Sequence, residues 1–152
     1  MVFDHDYENF PELSNAELSD FGFSSPHVQI VDDFDAVVVK VHDGDTVTLS
    51  TDFRDFEFPL RFLNIDAPEL NEGGEVARDW LISQVEGRAV RVLIDQKQRV
   101  GKYGRLLGRV FHTGLDVGES ELHLGLARPF SARNDGVIPD VGQLVNTRWL
   151  ST

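Results

Sequence analysis

Cysteine is missing altogether from the 152 residues. Disulfides, thiol catalysis and cysteine-bound zinc are thereby excluded. Basic residues are scarce: 14 Lys and Arg against 26 Asp and Glu leave a formal net charge of -12. That balance argues against loose, whole-surface attraction to nucleic acid. A phosphate-binding protein of this charge must concentrate its arginines locally, or work where salt or divalent cations screen repulsion. A high-salt habitat and an ordinary acidic cytoplasmic protein both fit the same composition. No apolar run approaches membrane-spanning length, so no membrane partner is expected. The opening residues, Met1 to Asp6, hold neither a basic stretch nor an apolar core. The expectation is therefore no secretory signal and a cytoplasmic location, in a host cell or in the cell a phage gene enters. No Gly-x-Ser-x-Gly elbow and no Gly-rich phosphate loop occurs, and no pair of the five histidines has the spacing of a zinc helix.

The composition that remains, 41% apolar and 26% charged, suits one soluble domain with a real core. Residues 1–26 stand apart. Acids (Asp4, Asp6, Glu8, Glu12, Glu17, Asp20) alternate there with Phe3, Tyr7, Phe10, Leu13, Leu18, Phe21 and Phe23. Ser14 and Glu17 are spaced as a capping box for one short helix. The segment is expected to be a flexible acidic-aromatic extension. The alternative is an arm that packs on the body or covers a basic cleft. The body, 27–152, is expected to be a mainly β domain. Asp35 to Val41, Val47 to Leu49, Phe56 to Ile65, Ala89 to Ile94 and Leu106 to Phe111 read as strands. Gly44 is expected to supply a positive φ in the turn between the first two, and Pro59 to mark an edge or a bulge. Glu72 to Glu86 reads as a helix, with Val76, Trp80, Leu81 and Val85 on its apolar face and Gly87 at its end. Short helices are expected over Ser120 to Leu126 and within Pro139 to Thr152. Five strands with a helix between the third and fourth suit an OB-type, five-stranded Greek-key barrel carrying two to three helices.

Chemistry concentrates in three segments: Asp43-Gly44-Asp45-Thr46, Arg61 to Glu69, and Lys102-Tyr103-Gly104-Arg105. Asp45 begins a strand after a turn, and Asp66 ends another. If those ends lie side by side, their carboxylates converge on a site for calcium or magnesium. Pro68 holds Ala67 extended, which can aim the Ala67 carbonyl at the same point. Glu69 stands three residues beyond Asp66, where a carboxylate can orient or deprotonate a water. Arg61 and Arg105 have planar forks suited to phosphate oxygens. Lys102 and the Tyr103 hydroxyl can hold a terminal phosphate. Each segment alone also reads as an ordinary turn or surface salt bridge.

Together the three segments resemble, in order and from about Val37 to Phe130, the signature of the staphylococcal-nuclease-like (thermonuclease) proteins. The resemblance implies an OB barrel with helices and calcium-dependent cleavage of DNA and RNA, with one calcium ion and magnesium or manganese as substitutes. By position, Asp45, Asp66 and the Ala67 carbonyl resemble the metal ligands. Glu69 resembles the residue that activates or orients water, and Arg61 and Arg105 the charge-stabilising pair. Lys102 and Tyr103 resemble the terminal-phosphate contacts. The implied products are a 5′-hydroxyl and a 3′-phosphate. Three features depart from the pattern. The chain is acidic where well-known members are basic. The base-contacting tyrosines should fall near Ser131 and Arg133 but are absent, leaving Phe130 to stack instead. The C-terminal helix is abbreviated by Gly136, Pro139 and Gly142. The alternative function is a non-catalytic OB-fold module that binds nucleic acid or protein. Nothing in the sequence fixes an oligomeric state, and a monomer is the default.

Overall fold

The computed structural model describes residues 4–101 and 104–130. A ten-residue strand, β1 (Phe34–Asp43), runs through the middle of the sheet. Its first half alternates buried and exposed residues, as a strand with one face on a core must. It pairs antiparallel with β2 (Thr46–Ser50) on one side and with β5 (Ala89–Leu93) on the other. β3 (Phe58–Phe62) pairs antiparallel with β2, and β6 (Leu106–His112) with β5. A parallel pairing of β3 with β6, Leu60 opposite Leu106, closes the barrel. The result is a closed five-stranded mixed barrel of the OB type, as the strand and helix order implies. β7 (Leu115–Asp116) extends the sheet beyond β6, and β4 (Ile65–Asp66) pairs separately with β8 (Arg128–Pro129).

Val38, Val47, Leu49, Leu60 and Val92 fill the barrel with no exposed surface. Each such side chain contributes about 1.5–3 kcal/mol by leaving water. Helix α2 (Glu75–Val85) lies across β1 and buries Ala77, Leu81 and Val85. Gly87, at φ 78°, ends it in the left-handed conformation, and its N–H bonds the Val38 carbonyl at 2.7 Å. This helix starts later than the sequence pattern suggests. A 3-10 turn, Leu70–Glu72, and Gly73 at φ 92° come first. Val76, expected on the apolar face, is 64% exposed, and Ala77 takes the inward place. Helix α3 (Val117–His123) is capped by Asp116, whose side chain accepts from the Glu119 N–H.

Pro59 stands at a local edge of β3, just before the barrel closes. It faces Thr48 of β2, whereas pairing with β6 begins only at Leu60. At Pro59 the strand is thus paired on one side, where a missing N–H is tolerated.

Residues 4–30 make defined contacts with the barrel. Helix α1 (Asn15–Phe21) carries the expected capping box: Ser14 Oγ accepts from the Glu17 N–H, and Glu17 accepts from the Ser14 N–H. Just before it, Leu13 is fully buried and Glu12 is 2% exposed. Arg54 Nη2 donates to both Glu12 oxygens, at 2.5 and 2.9 Å, with its guanidinium 4.7 Å from the Phe58 ring centre. Arg99, also buried, donates to the carbonyls of Ile30 and Leu13 and to Asn15. These contacts join the stretch around Glu12 and Leu13 to the barrel. The helix expected within 139–152 lies outside the described residues.

Candidate active site

The β1–β2 turn, the end of β3 and the short strand β4 meet at one place. Asp45 leaves the turn with its N–H on Asp43 Oδ1 at 3.1 Å. Its carboxylate accepts from Thr46 Oγ1 at 3.0 Å and from the Ala67 N–H at 3.0 Å. The Phe62 N–H bonds the Asp45 carbonyl at 2.8 Å, which ties the turn to β3. Register places Thr46 opposite Arg61. From there Arg61 Nη2 reaches Asp45 Oδ2 at 3.4 Å and Asp66 Oδ1 at 3.3 Å. Two buried carboxylates, one from the β1–β2 turn and one from β4, thus point at a common spot, with one guanidinium nitrogen between them.

Gly44 lets this turn close, but by compactness and not by the expected positive φ. It is absent from the positive-φ glycines among the described residues. A Cβ on it would lie 2.7 Å from the Cβ atoms of both Ala67 and Ala77, and 3.1 Å from Glu121 Oε1. Only a glycine fits where turn, loop and helix press together. Gly44→Ala is expected to destabilise the fold by about 1–3 kcal/mol through overpacking. A thermal melt checks this, and an unchanged melting temperature contradicts the packing role.

Burial pushes the Asp45 carboxyl above its ordinary range. The neighbouring Asp43 pushes the same way, and Arg61 opposes. Asp66 is 3% exposed and accepts a second charged contact, from Arg128 Nη2 at 3.5 Å. Arg128 stands opposite Asp66 in the β4–β8 pair.

Among the residues singled out from sequence, Asp45, Asp66, Ala67 and Arg61 come together. Ala67 contributes its N–H to Asp45. Glu69 is exposed on the following loop, and its backbone carbonyl accepts from the N–H groups of Glu72 and Gly74 at 2.9 Å each. Its side chain makes no capping bond to the turn it opens. Arg105 precedes β6 beside the start of β3. It lines a small crevice with Pro11, Glu12, Arg54 and Pro59, apart from the aspartates. Phe130 packs on Arg61, its ring centre 5.0 Å from the guanidinium carbon, and its N–H bonds the Asn64 carbonyl. Lys102 and Tyr103 lie outside the described residues, as do positions 131 and 133.

Sequence reasoning passed over three groups. Asp43 holds the turn, Arg128 meets Asp66 through a pairing distant in sequence, and Glu121 is buried beside Gly44. Only Glu121 left a signal: an acid at the apolar spacing of Val117, Gly118 and Leu122.

A closed OB barrel with an aspartate–arginine cluster at its strand ends is the frame on which the comparisons fall. The sequence model described as staphylococcal nuclease homologue matches residues 59–146. The chain belongs to this family. Curated proteins it is similar to include an uncharacterized protein of Bacillus anthracis, pXO1-141, 30% identical over 89 residues, which are 54% of this chain and 41% of that protein. Another is staphylococcal-like nuclease CAN1 of Arabidopsis thaliana, 38% identical over 72 residues, 47% of this chain and 21% of that protein. The chain thus spans less than half the length of either relative. No helix among the described residues is long and apolar enough to cross a membrane.

Proposed function

We propose that this domain is a metal-dependent nuclease that hydrolyses phosphodiester bonds of DNA or RNA, with calcium as the expected ion. The observation that carries the reading is the convergence of Asp45 and Asp66 on a single nitrogen of Arg61. Family membership supports it independently.

The donor chemistry fits a hard cation. Asp45, Asp66 and the Ala67 carbonyl offer only oxygen, which suits calcium or magnesium and not zinc. Among the described residues no group of three or more His, Cys, Asp or Glu forms a ready-made cage. Two carboxylates, one carbonyl and several waters need no such cage. When bound, the ion supplies positive charge to the scissile phosphate and a place for water beside it.

The protein's own groups do the rest. Arg61 lies at the mouth of the aspartate pair and grips a non-bridging phosphate oxygen with its fork. Arg105, one residue before β6, neutralises charge that builds up as phosphorus becomes five-coordinate. Glu69 is exposed and accepts a proton from the attacking water. Attack runs in line, the bond from phosphorus to the 5′ oxygen breaks, the released oxygen takes a proton from solvent, and the products are a 3′-phosphate and a 5′-hydroxyl. Lys102, Tyr103 and Phe130 are assigned to substrate contacts.

The test is end-group analysis of a cleaved, labelled oligonucleotide in calcium. Fragments bearing a 3′-phosphate are expected, and fragments bearing a 5′-phosphate contradict the mechanism. The second reading, a barrel that only binds, draws on the net charge of -12, which opposes a polyanion. Neither cleavage nor a gel shift with DNA or RNA, from a folded chain, would favour it as a module for a protein partner.

A further inference from the structure

Arg105 leaves a turn one residue before β6. Two backbone bonds draw that turn together. The Gly101 N–H donates to the Arg105 carbonyl at 2.8 Å, and the Gly104 N–H donates to the Gly101 carbonyl at 3.0 Å. Gly104 stands at φ 77°, a conformation that costs glycine nothing. Glycine also keeps the most backbone freedom, so such a turn aims the next side chain loosely unless something packs on it. Phe10 packs on it. A Cβ added to Gly104 would have Phe10 atoms as its three nearest neighbours, from Cδ1 at 2.9 Å to Cβ at 3.3 Å. Phe10 is itself held in place. Its N–H donates to the Asp6 carbonyl at 2.9 Å, and its carbonyl accepts from His5 Nε2 at 2.8 Å. Two residues on, Glu12 is anchored by the buried Arg54. Arg99, on the near side of the turn, donates to the Leu13 carbonyl at 3.1 Å. Pro11 and Glu12 line the same crevice as Arg105.

We propose that Phe10 is a positioning residue for Arg105: its ring braces the glycine turn and so fixes the direction from which the Arg105 guanidinium meets the phosphate. A charge-stabilising group misplaced by about 1 Å can cost about a hundredfold in rate, so a brace of this kind is felt in catalysis. Phe10 itself touches no substrate. The proposal rests on the role given to Arg105 above. It goes further by making the N-terminal arm part of what presents that residue.

The experiment measures steady-state cleavage of a labelled oligonucleotide in calcium, and amide hydrogen exchange, on the full chain. Wild type is compared with Phe10→Ala, Phe10→Tyr, Arg105→Ala and the Phe10→Ala, Arg105→Ala double variant. Phe10 is 37% exposed, so its truncation is expected to leave the barrel folded. Phe10→Ala should lower kcat about tenfold to a hundredfold, and Phe10→Tyr, which keeps the ring, should restore the rate. In the Arg105→Ala background Phe10→Ala should cost nothing more, because its effect passes through that residue. The Gly101 and Gly104 N–H groups should exchange faster in Phe10→Ala, while those of β1 and β5 stay as slow as in wild type. A wild-type kcat in Phe10→Ala overturns the proposal. So do losses that multiply in the double variant, a rate that Phe10→Tyr does not restore, or a Phe10→Ala chain that fails to fold, since each marks a role independent of Arg105. No cleavage by wild type overturns the nuclease reading and the catalytic half of the proposal. Exchange at the two glycines then decides the brace by itself, and unchanged exchange there overturns it.

Discussion

Replacing Glu69 by glutamine, or Arg105 by alanine, is expected to lower turnover by orders of magnitude while the fold survives. Glu69→Gln keeps size and removes only the proton acceptor, an effect worth roughly 10²–10⁴-fold. Arg105→Ala removes one charge-stabilising donor, worth about 10²–10³-fold. The structure allows a clean comparison. Glu69 is exposed on its loop, and Arg105 lies at the rim of a crevice and not in the core. Both losses should therefore appear in kcat, with melting temperatures close to wild type. A near-wild-type rate in either variant refutes the role assigned to that residue. The pair also probes geometry. Arg105 does not touch the aspartates in this structure, so its contribution must come through substrate.

The second large effect concerns stability. Glu12→Ala is expected to destabilise the protein by about 3–5 kcal/mol, because Arg54 is left as an uncompensated buried charge. The two side chains are only 1% and 2% exposed. Arg54 already has Nε and Nη1 without partners, and its bonds to the Glu12 carboxylate and the Val28 carbonyl all come from Nη2, so Glu12 is the charge that balances it. At about 2–4 °C per kcal/mol for a chain of this size, the melting temperature should fall by roughly 10 °C. Replacing both residues by methionine should recover much of the loss, since a packed apolar pair avoids the desolvation penalty. Deleting residues 1–25 removes Glu12 and Leu13 together and should be at least as damaging. A truncated chain as stable as the full one would show that the arm is dispensable and that these contacts contribute nothing.

The barrel was legible because its strands are β-branched, alternate, and stop at turn residues. Val37 to Val41 and Val90 to Leu93 carry that pattern plainly. The candidate site was legible for a related reason. Asp45, Arg61 and Asp66 each lie at a strand boundary, and register alone brings boundaries together. What was hidden depends on contacts between distant segments. Gly44 looks like a positive-φ turn glycine, yet its constraint is the approach of Ala67 and Ala77. Val76 fits a helical apolar stripe as well as Ala77 does, but only the smaller side chain fits against that turn. Pro59 signals an edge in sequence and is paired on one side only, but the closure by β6 that begins at Leu60 cannot be read from its neighbours. Arg128 reaches Asp66 through the β4–β8 pair, 62 residues apart. The arm's acids look solvated until Glu12 is matched with Arg54.

The aspartate–arginine cluster is expected to drive cation-dependent cleavage. Purified protein is incubated with supercoiled plasmid in calcium, with and without excess chelator, alongside Asp66→Asn. The expected result is nicking and fragmentation in calcium, abolished by chelator and lost in the variant. No cleavage in calcium, magnesium or manganese, or cleavage that persists in chelator, would contradict it.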